Sequence, residues 1–181
     1  MRYEVETKVK IKNVKELKEK VKKIARFNKR EIKVDDYYAI KRNGYPKKAF
    51  RIRSVGKSHI VNFKKWAKKY WDKRIVVKEE YEFEIKDVED FLTLMKDLGF
   101  FEWIRKIKIS EHYIYRKDKK LSIEINKVEK LGYFMEIEYL TDKRGIEKAK
   151  KRIREILEEL EVSEKDINNT GYTKMLWEKK R

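Results

Sequence analysis

The chain has 181 residues, 50 of them Lys or Arg against 32 Asp or Glu, a formal charge of +18, and no cysteine. That length is one domain's worth, 1–181, and is enough to bury a core. The missing cysteines exclude a disulfide framework, a thiol nucleophile and a Cys-based zinc site. Charged residues make up 45% of the chain, yet its apolar residues stay periodic, so it reads as folded and not as disordered. No apolar run reaches the roughly 18 residues of a membrane-spanning helix and no signal peptide precedes the first strand, so a cytoplasmic protein with no membrane segment is expected. The lack of glutamine beside abundant Lys, Glu and Ile resembles thermophile composition.

The first segment, Arg2 to Ile11, alternates. Glu4, Glu6, Lys8 and Lys10 fall on one side, and Tyr3, Val5, Thr7, Val9 and Ile11 on the other, the signature of a half-buried strand. Asn13 then opens a helix with Glu16 as its capping-box partner, and its apolar stripe is Val14, Leu17, Val21, Ile24 and Ala25. A strand is expected over Glu31–Ile40 with an Asp-Asp-Tyr-Tyr cluster, then a turn at Asn43-Gly44-Tyr45-Pro46. Lys48–Val55 sets Arg51 and Arg53 opposite Phe50 and Ile52. After a turn at Gly56-Lys57-Ser58, His59–Trp66 sets Asn62 and Lys64 opposite Val61 and Phe63. Ala67–Asp72 is a basic, aromatic connection that reads as an exposed hairpin end, with a mobile loop over a ligand as the alternative; Tyr70-Trp71 suggests a contact surface.

A long strand over Lys73–Ile85 places Lys78, Glu80, Glu82 and Glu84 on one face. Asp87 caps a helix with the stripe Val88, Phe91, Leu92, Met95 and Leu98, ended by Gly99. Phe100–Ser110 is a strand with Lys106 and Lys108 in phase. Glu111–Arg116 and Leu121–Val128 form a hairpin across 117–120, the latter with Ser122, Glu124 and Asn126 on one face. Tyr133–Leu140 sets Glu136 and Glu138 opposite Met135, Ile137 and Tyr139. A helix follows from about Asp142 to Leu160, with the stripe Ile146, Ala149, Ile153, Ile156, Leu157 and Leu160. The tail, Glu164–Trp177, docks through Tyr172, Met175 and Leu176. Three strands with a Glu-x-Glu pair each lead into a helix, which suggests a duplicated meander-plus-helix plan.

Several strands thus carry acids and bases in phase on one face and apolar residues on the other. Strands this numerous close into a barrel sooner than leave long edges, and amphipathic helices then cover the apolar outside. The expected fold is α+β: a closed antiparallel barrel, or tunnel, of about eight strands with a charged interior and helices packed outside. Such an interior calls for compensation: divalent metal on carboxylates, polyphosphate on Lys and Arg. An all-oxygen site suits Mg²⁺ or Mn²⁺. His59 and His112 form no visible ligand pair and read as surface or satisfied strand residues. No helix-turn-helix spacing, RNP-like motif or zinc finger is present, so nucleic acid is not an expected partner.

The ordered set E-V-E-T-K at Glu4–Lys8, D-D-Y-Y at Asp35–Tyr38, F-R-I-R at Phe50–Arg53, N-F-K at Asn62–Lys64, K-E-E-Y-E-F-E at Lys78–Glu84, V-E-K-L-G-Y-F-M-E-I-E at Val128–Glu138 and the closing G-Y-T-K-M-L resembles the CYTH superfamily, the triphosphate tunnel metalloenzymes, which include class IV adenylate cyclases, thiamine triphosphatases and inorganic triphosphatases. The resemblance implies an eight-stranded tunnel that binds a small triphosphate-containing molecule with Mg²⁺ or Mn²⁺. It implies Glu4, Glu6, Glu136 and Glu138 as metal ligands, and Lys8, Arg51, Arg53, Lys64, Lys78, Lys106 and Lys108 on the phosphates. Glu4, Lys8, Glu80 and Glu82 are implied in catalysis, the last two organising the basic residues and a water. The chain departs from the family pattern with Lys at 78 and 108, where Arg is usual, and Asn126 where Asp is common. Cyclase members often carry a His-Phe pair before E-x-E-x-K, and this chain starts just before Glu4. The expected function is metal-dependent hydrolysis of tripolyphosphate or a nucleoside or thiamine triphosphate. The alternatives are a class IV adenylate cyclase making cyclic AMP and pyrophosphate, and a non-catalytic binder of polyphosphate or nucleic acid. A monomer or homodimer is expected.

Overall fold

Alternation with a two-residue period makes a strand; alternation in phase across many strands makes a two-faced sheet that needs closing. The computed structural model describes residues 2–40, 44–55 and 58–180. In order, its elements are β1 (Arg2–Lys10), α1 (Val14–Ile24), β2 (Ala25–Ile40), β3 (Ala49–Val55), β4 (Ser58–Trp66), β5 (Val76–Ile85), α2 (Val88–Asp97), β6 (Phe100–Tyr115), β7 (Leu121–Val128), β8 (Gly132–Thr141), α3 (Ile146–Glu159) and α4 (Tyr172–Lys179). The eight strands form a closed barrel in the order β1-β5-β4-β3-β2-β6-β7-β8. Two meanders, β2 to β5 and β6 to β8, are closed by β1, which pairs antiparallel with both β5 and β8. The three strands that carry Glu-x-Glu pairs are therefore neighbours.

The chain divides into two compact units, residues 1–32, 65–80 and 108–169 in one and 33–64, 81–107 and 170–181 in the other. In the first, the core lies between the strands and two helices. Tyr3, Val5 and Val9 of β1, Ile123 and Ile125 of β7 and Met135 and Ile137 of β8 pack with Val21 of α1 and with Ile146, Ala149, Ile153, Ile156 and Leu157 of α3. Helices lie outside a closed barrel, so the alternate, charged face of these strands points inward. In the second unit, Phe50 and Ile52 of β3 and Val61 of β4 pack against Val88, Phe91, Leu92 and Met95 of α2. Phe50 meets Tyr38, Phe91 and Phe100 at ring separations of 5.3–5.7 Å, within the range where aromatic pairs attract.

The ends of the helices follow their caps. Asn13 accepts the Glu16 amide and, in place of the reciprocal box bond, donates its own Nδ2 to the Glu16 carboxylate at 3.1 Å. Asp87 accepts from the amides of Glu89 and Asp90, and Gly99, at φ +84°, ends the helix in the left-handed region that glycine tolerates best. Asp142 accepts from Arg144 and Gly145, so a short 3-10 turn at Lys143–Gly145 precedes α3, which therefore begins later than its sequence pattern suggests.

Several expectations are corrected. Ala25 is not in the α1 stripe; it is the C-cap, and β2 starts on it, well before Glu31. β6 is one strand of 16 residues and does not break at Ser110. Leu98 is 58% exposed and stands outside the α2 core contacts. Ala67–Asp72 is not a loose end: Trp71 Nε1 donates to the Val77 carbonyl at 2.8 Å, Tyr70 packs edge-on against Tyr3, and both pack on the first unit's core. The turn at Asn43–Pro46 lies partly, and that at Gly56-Lys57-Ser58 mostly, outside the described residues. Among the described residues no helix is long and apolar enough to cross a membrane. Ile153→Ala, on the buried side of α3 with 0% exposure, is expected to cost about 2–5 kcal/mol of stability, read from the denaturation midpoint.

Candidate functional site

The inward face of the first unit is built by register. Glu6 sits directly opposite Glu138 and Lys8 opposite Glu136 across β1 and β8, and Lys78 of β5 sits opposite Glu4. Glu124 of β7 is opposite Glu136. Like charges directly opposite repel, and lysines relieve both carboxylate pairs. Lys78 Nζ bonds Glu6 Oε1. Lys108 Nζ lies 2.8 Å from Glu124 Oε2 and 3.1 Å from Glu136 Oε2. Burial raises the stakes: Glu4, Glu6, Lys8, Lys108 and Glu124 are each under 10% exposed, where an unmatched charge is costly.

Asn126 is held at both ends of its amide. Its Nδ2 donates to Glu136 Oε2 at 2.7 Å while its Oδ1 accepts from Ser110 Oγ at 2.5 Å. An aspartate here would set a second carboxylate against Glu136 with no proton to give it. The backbone of β1 is held as well: Lys8 N donates to Asn169 Oδ1 at 2.8 Å, Asn168 N donates to the Lys8 carbonyl at 2.7 Å, and Asn169 Nδ2 donates to the Arg74 carbonyl at 2.9 Å.

In the second unit the organiser is Asp35, with 0% exposure. The adjacent acids Asp35 and Asp36 split to opposite faces of β2. Asp36 takes Arg105 at 2.6 Å, and Asp35 faces in, across from Arg53 in the β2–β3 register. Arg53 forks onto both Asp35 oxygens at 2.7 and 3.1 Å, Arg51 Nη1 reaches Oδ2 at 3.2 Å, and Lys106 Nζ lies 2.8 Å away. Burial pushes the Asp35 carboxyl up, but Lys106, Arg51 and Arg53 together outweigh it and hold the group far below the ordinary carboxylate range. Burial likewise pushes the Tyr37 phenol up, and Lys106 leads the opposing pull, which leaves it below its usual value. Lys106 Nζ is 3.2 Å from Tyr37 Oη and lies 5.5 Å from the ring centroids of both Tyr37 and Tyr172, a cation held over aromatic faces.

Of the residues named from sequence, Glu4, Glu6, Lys8, Lys78, Lys108, Glu136 and Glu138 thus come together on one face of the first unit, and Arg51, Arg53 and Lys106 gather on Asp35 in the second. Lys64 and Glu80 are half-buried on β4 and β5, while Glu82 is exposed. Asp35, Tyr37, Glu124 and Asn126 carry the site yet were given no role from sequence; the signal was their phase, since Asp35 and Tyr37 pair with Arg53 and Arg51 across β2 and β3, and Glu124, in phase with Asn126, pairs with Glu136 across β7 and β8. His112 lies between two carboxylates, its Nδ1 3.0 Å from Glu124 and its Nε2 2.7 Å from Glu31, but Nε2 makes no aligned hydrogen bond, so it is not the fully satisfied strand residue expected.

A divalent metal fits the first unit by donor chemistry. Glu4, Glu6, Glu136 and Glu138 offer only carboxylate oxygens on adjacent strands, as hard cations require. Among the described residues no three acids or histidines converge as a ready-made metal cluster; Glu6 and Glu136 are paired with Lys78 and Lys108.

A family model described as CYTH domain matches residues 2–172. A Methanocaldococcus jannaschii protein that bears the provisional name adenylate cyclase is 33% identical over 182 residues, spanning 95% of this chain and 97% of that protein. The structure of the PH1012 protein from Pyrococcus horikoshii OT3 superimposes with a TM-score of 0.76 at 27% identity, covering 94% of this chain and 98% of that one. A Hippeastrum protein, provisionally an adenylyl cyclase and described as having a dominant triphosphatase activity, superimposes with a TM-score of 0.64 at 16% identity over 99% and 96% of the two chains; that likeness is one of fold.

Asp35→Asn leaves three cations without their anion and is expected to cost about 3–5 kcal/mol. Because the folded carboxyl titrates below its unfolded value of about 3.9, its contribution is complete above that pH and is lost as pH falls below it. The acid limb of a stability–pH curve is therefore flatter in Asp35→Asn than in wild type. Asn126→Asp is expected to destabilise by about 1–3 kcal/mol, the scale of a lost buried hydrogen bond, measured by thermal melts at neutral pH.

Proposed function

We propose, from the premise that this chain belongs to the CYTH domain family, that it is a metal-dependent triphosphatase acting on tripolyphosphate or a nucleoside or thiamine triphosphate. Members of that family are triphosphatases or adenylate cyclases, and the family is one of metal-dependent tunnel enzymes. The observation that carries the reading is the inward cluster on Asp35, where three cations share one buried carboxylate. That excess of fixed positive charge, out of bulk water, suits a polyanion and little else.

In this reading the chain supplies position and charge, which is most of what phosphoryl transfer asks of a protein. Arg51 and Arg53, aimed by Asp35, present guanidinium forks matched to phosphate oxygens. Lys106, Lys108, Lys8, Lys64 and Lys78 add point charges for the rest of the triphosphate. Glu4, Glu6, Glu136 and Glu138 would hold Mg²⁺ or Mn²⁺, which neutralises phosphate charge and acidifies a bound water. Glu80 and Glu82 order the lysines, and Glu80 is the better placed, since Glu82 is exposed. A cytoplasmic location is consistent with a small-molecule triphosphate substrate.

A second reading, adenylate cyclase, is favoured by the name of the 33% identical relative. There the ribose 3′-hydroxyl attacks the α-phosphate and pyrophosphate leaves; the same residues would bind the chain of phosphates. Incubation with tripolyphosphate and with ATP, each with Mg²⁺ or Mn²⁺, separates the two. The proposal expects orthophosphate from at least one of tripolyphosphate, ATP and, in a third arm, thiamine triphosphate; cyclic AMP with pyrophosphate from ATP overturns it in favour of the cyclase. Glu6→Ala and Glu138→Ala are expected to lower turnover at least about a hundredfold while the fold persists; full turnover in both removes the metal assignment, and salt-sensitive binding with no turnover marks a binder.

A further inference from the structure

We infer that His112 is a positioning residue for Lys108, acting through Glu124; the inference rests on the reading of Lys108 as a phosphate-binding residue. The observation is an unbroken line of alternating basic and acidic side chains across β2, β6, β7 and β8. Lys29 Nζ lies 2.8 Å from Glu31, whose carboxylate lies 2.7 Å from His112 Nε2. His112 Nδ1 lies 3.0 Å from Glu124 Oε1, and Glu124 uses its other oxygen, Oε2, for Lys108 at 2.8 Å. Lys108 in turn reaches Glu136 Oε2 at 3.1 Å. The Nε2 contact with Glu31 is close but lacks the alignment of a hydrogen bond.

Each link in this line has a different stiffness. The imidazole is a rigid ring that meets Glu124 at Nδ1 and is flanked by Glu31 at Nε2, so it cannot turn without leaving Glu124. A carboxylate, by contrast, has a broad terminal torsion, and a lysine is a point charge on a flexible four-carbon stem. Glu124 has one oxygen on the ring and one on the lysine, so the orientation of the ring is handed to the ammonium. Without the ring nitrogens Glu124 turns, and Lys108 moves onto Glu136, away from where a phosphate would take it. His112 has a side-chain exposure of 13% and Glu124 of 11%, so water competes poorly for these contacts.

His112→Phe keeps a ring and removes both nitrogens; His112→Asn keeps a donor near the Nδ1 position. Two readouts apply: the ¹⁵Nζ and ¹³Cε resonances of Lys108, assigned by their loss in Lys108→Met, and steady-state kinetics with tripolyphosphate. The Phe variant is expected to shift the Lys108 resonances and raise KM about tenfold with a smaller change in kcat, the low end of what losing an outer-shell partner costs. The Asn variant is expected to stay within about threefold, and Phe to add nothing in a Lys108→Met background, since both break one link. Should the Phe variant not melt cooperatively, His112→Ala with added imidazole replaces it, and imidazole is expected to restore the Lys108 signals. Unmoved Lys108 resonances in a folded variant, or Phe and Met effects that simply multiply, overturn the inference. If Lys108 responds to His112→Phe but the wild type hydrolyses no triphosphate, the positional link stands and the proposed function falls.

Discussion

Buried charge has to be answered where it lies, and the inner face of this barrel is organised by that requirement. Two carboxylate pairs stand directly across from each other, Glu6 with Glu138 and Glu124 with Glu136, an arrangement no ordinary sheet would keep. Lys78 and Lys108 make it tolerable, and Asp35 does the converse for three cations. The apolar residues are displaced to the outer face, where α1, α2 and α3 cover them. Replacing such ion pairs by hydrocarbon is often neutral or stabilising in proteins, so stability alone is a poor reason for keeping this many inside.

Much of this was legible in the amino acids. Alternation in Arg2–Lys10, and over most of Leu121–Val128 and Gly132–Thr141, sets the two faces, and the α3 stripe from Ile146 to Leu160 is buried at every expected position. Where the reading slipped, a local reason exists. β6 looked divided because Ser110 and Glu111 interrupt its pattern; Ser110 is a buried polar residue satisfied by Asn126, and Glu111 faces out to Lys18 and Tyr113. β2 looked short because its first residues after Ala25 are exposed and, Phe27 apart, polar, and because α1 passes into it with no Gly or Pro to mark the change. Tyr70 and Trp71 looked like a contact surface because nothing local says that Tyr3 and the Val77 carbonyl will receive them.

The site shows the same division. The charged positions themselves could be listed from phase and resemblance; what could not be read is who answers whom. Asp35 and Asp36 are indistinguishable as a dipeptide, yet one takes Arg51, Arg53 and Lys106 and the other takes the exposed Arg105. Asn126 looked like a weakened aspartate and is instead a donor to Glu136. Partnership of this kind depends on pairing register between strands far apart in sequence, which no short window contains.

The account's central claim is that the inner carboxylates hold a divalent cation while the inner cations hold a triphosphate. Anomalous diffraction from crystals grown with Mn²⁺ and tripolyphosphate tests it most directly. The account predicts manganese on carboxylate oxygens of Glu4, Glu6, Glu136 or Glu138, with phosphate oxygens within hydrogen-bond distance of Arg51, Arg53 and Lys106. Manganese and phosphate found only on outer lysine-bearing surfaces such as α1, with Glu6 still on Lys78 and Glu136 still on Lys108, would contradict it.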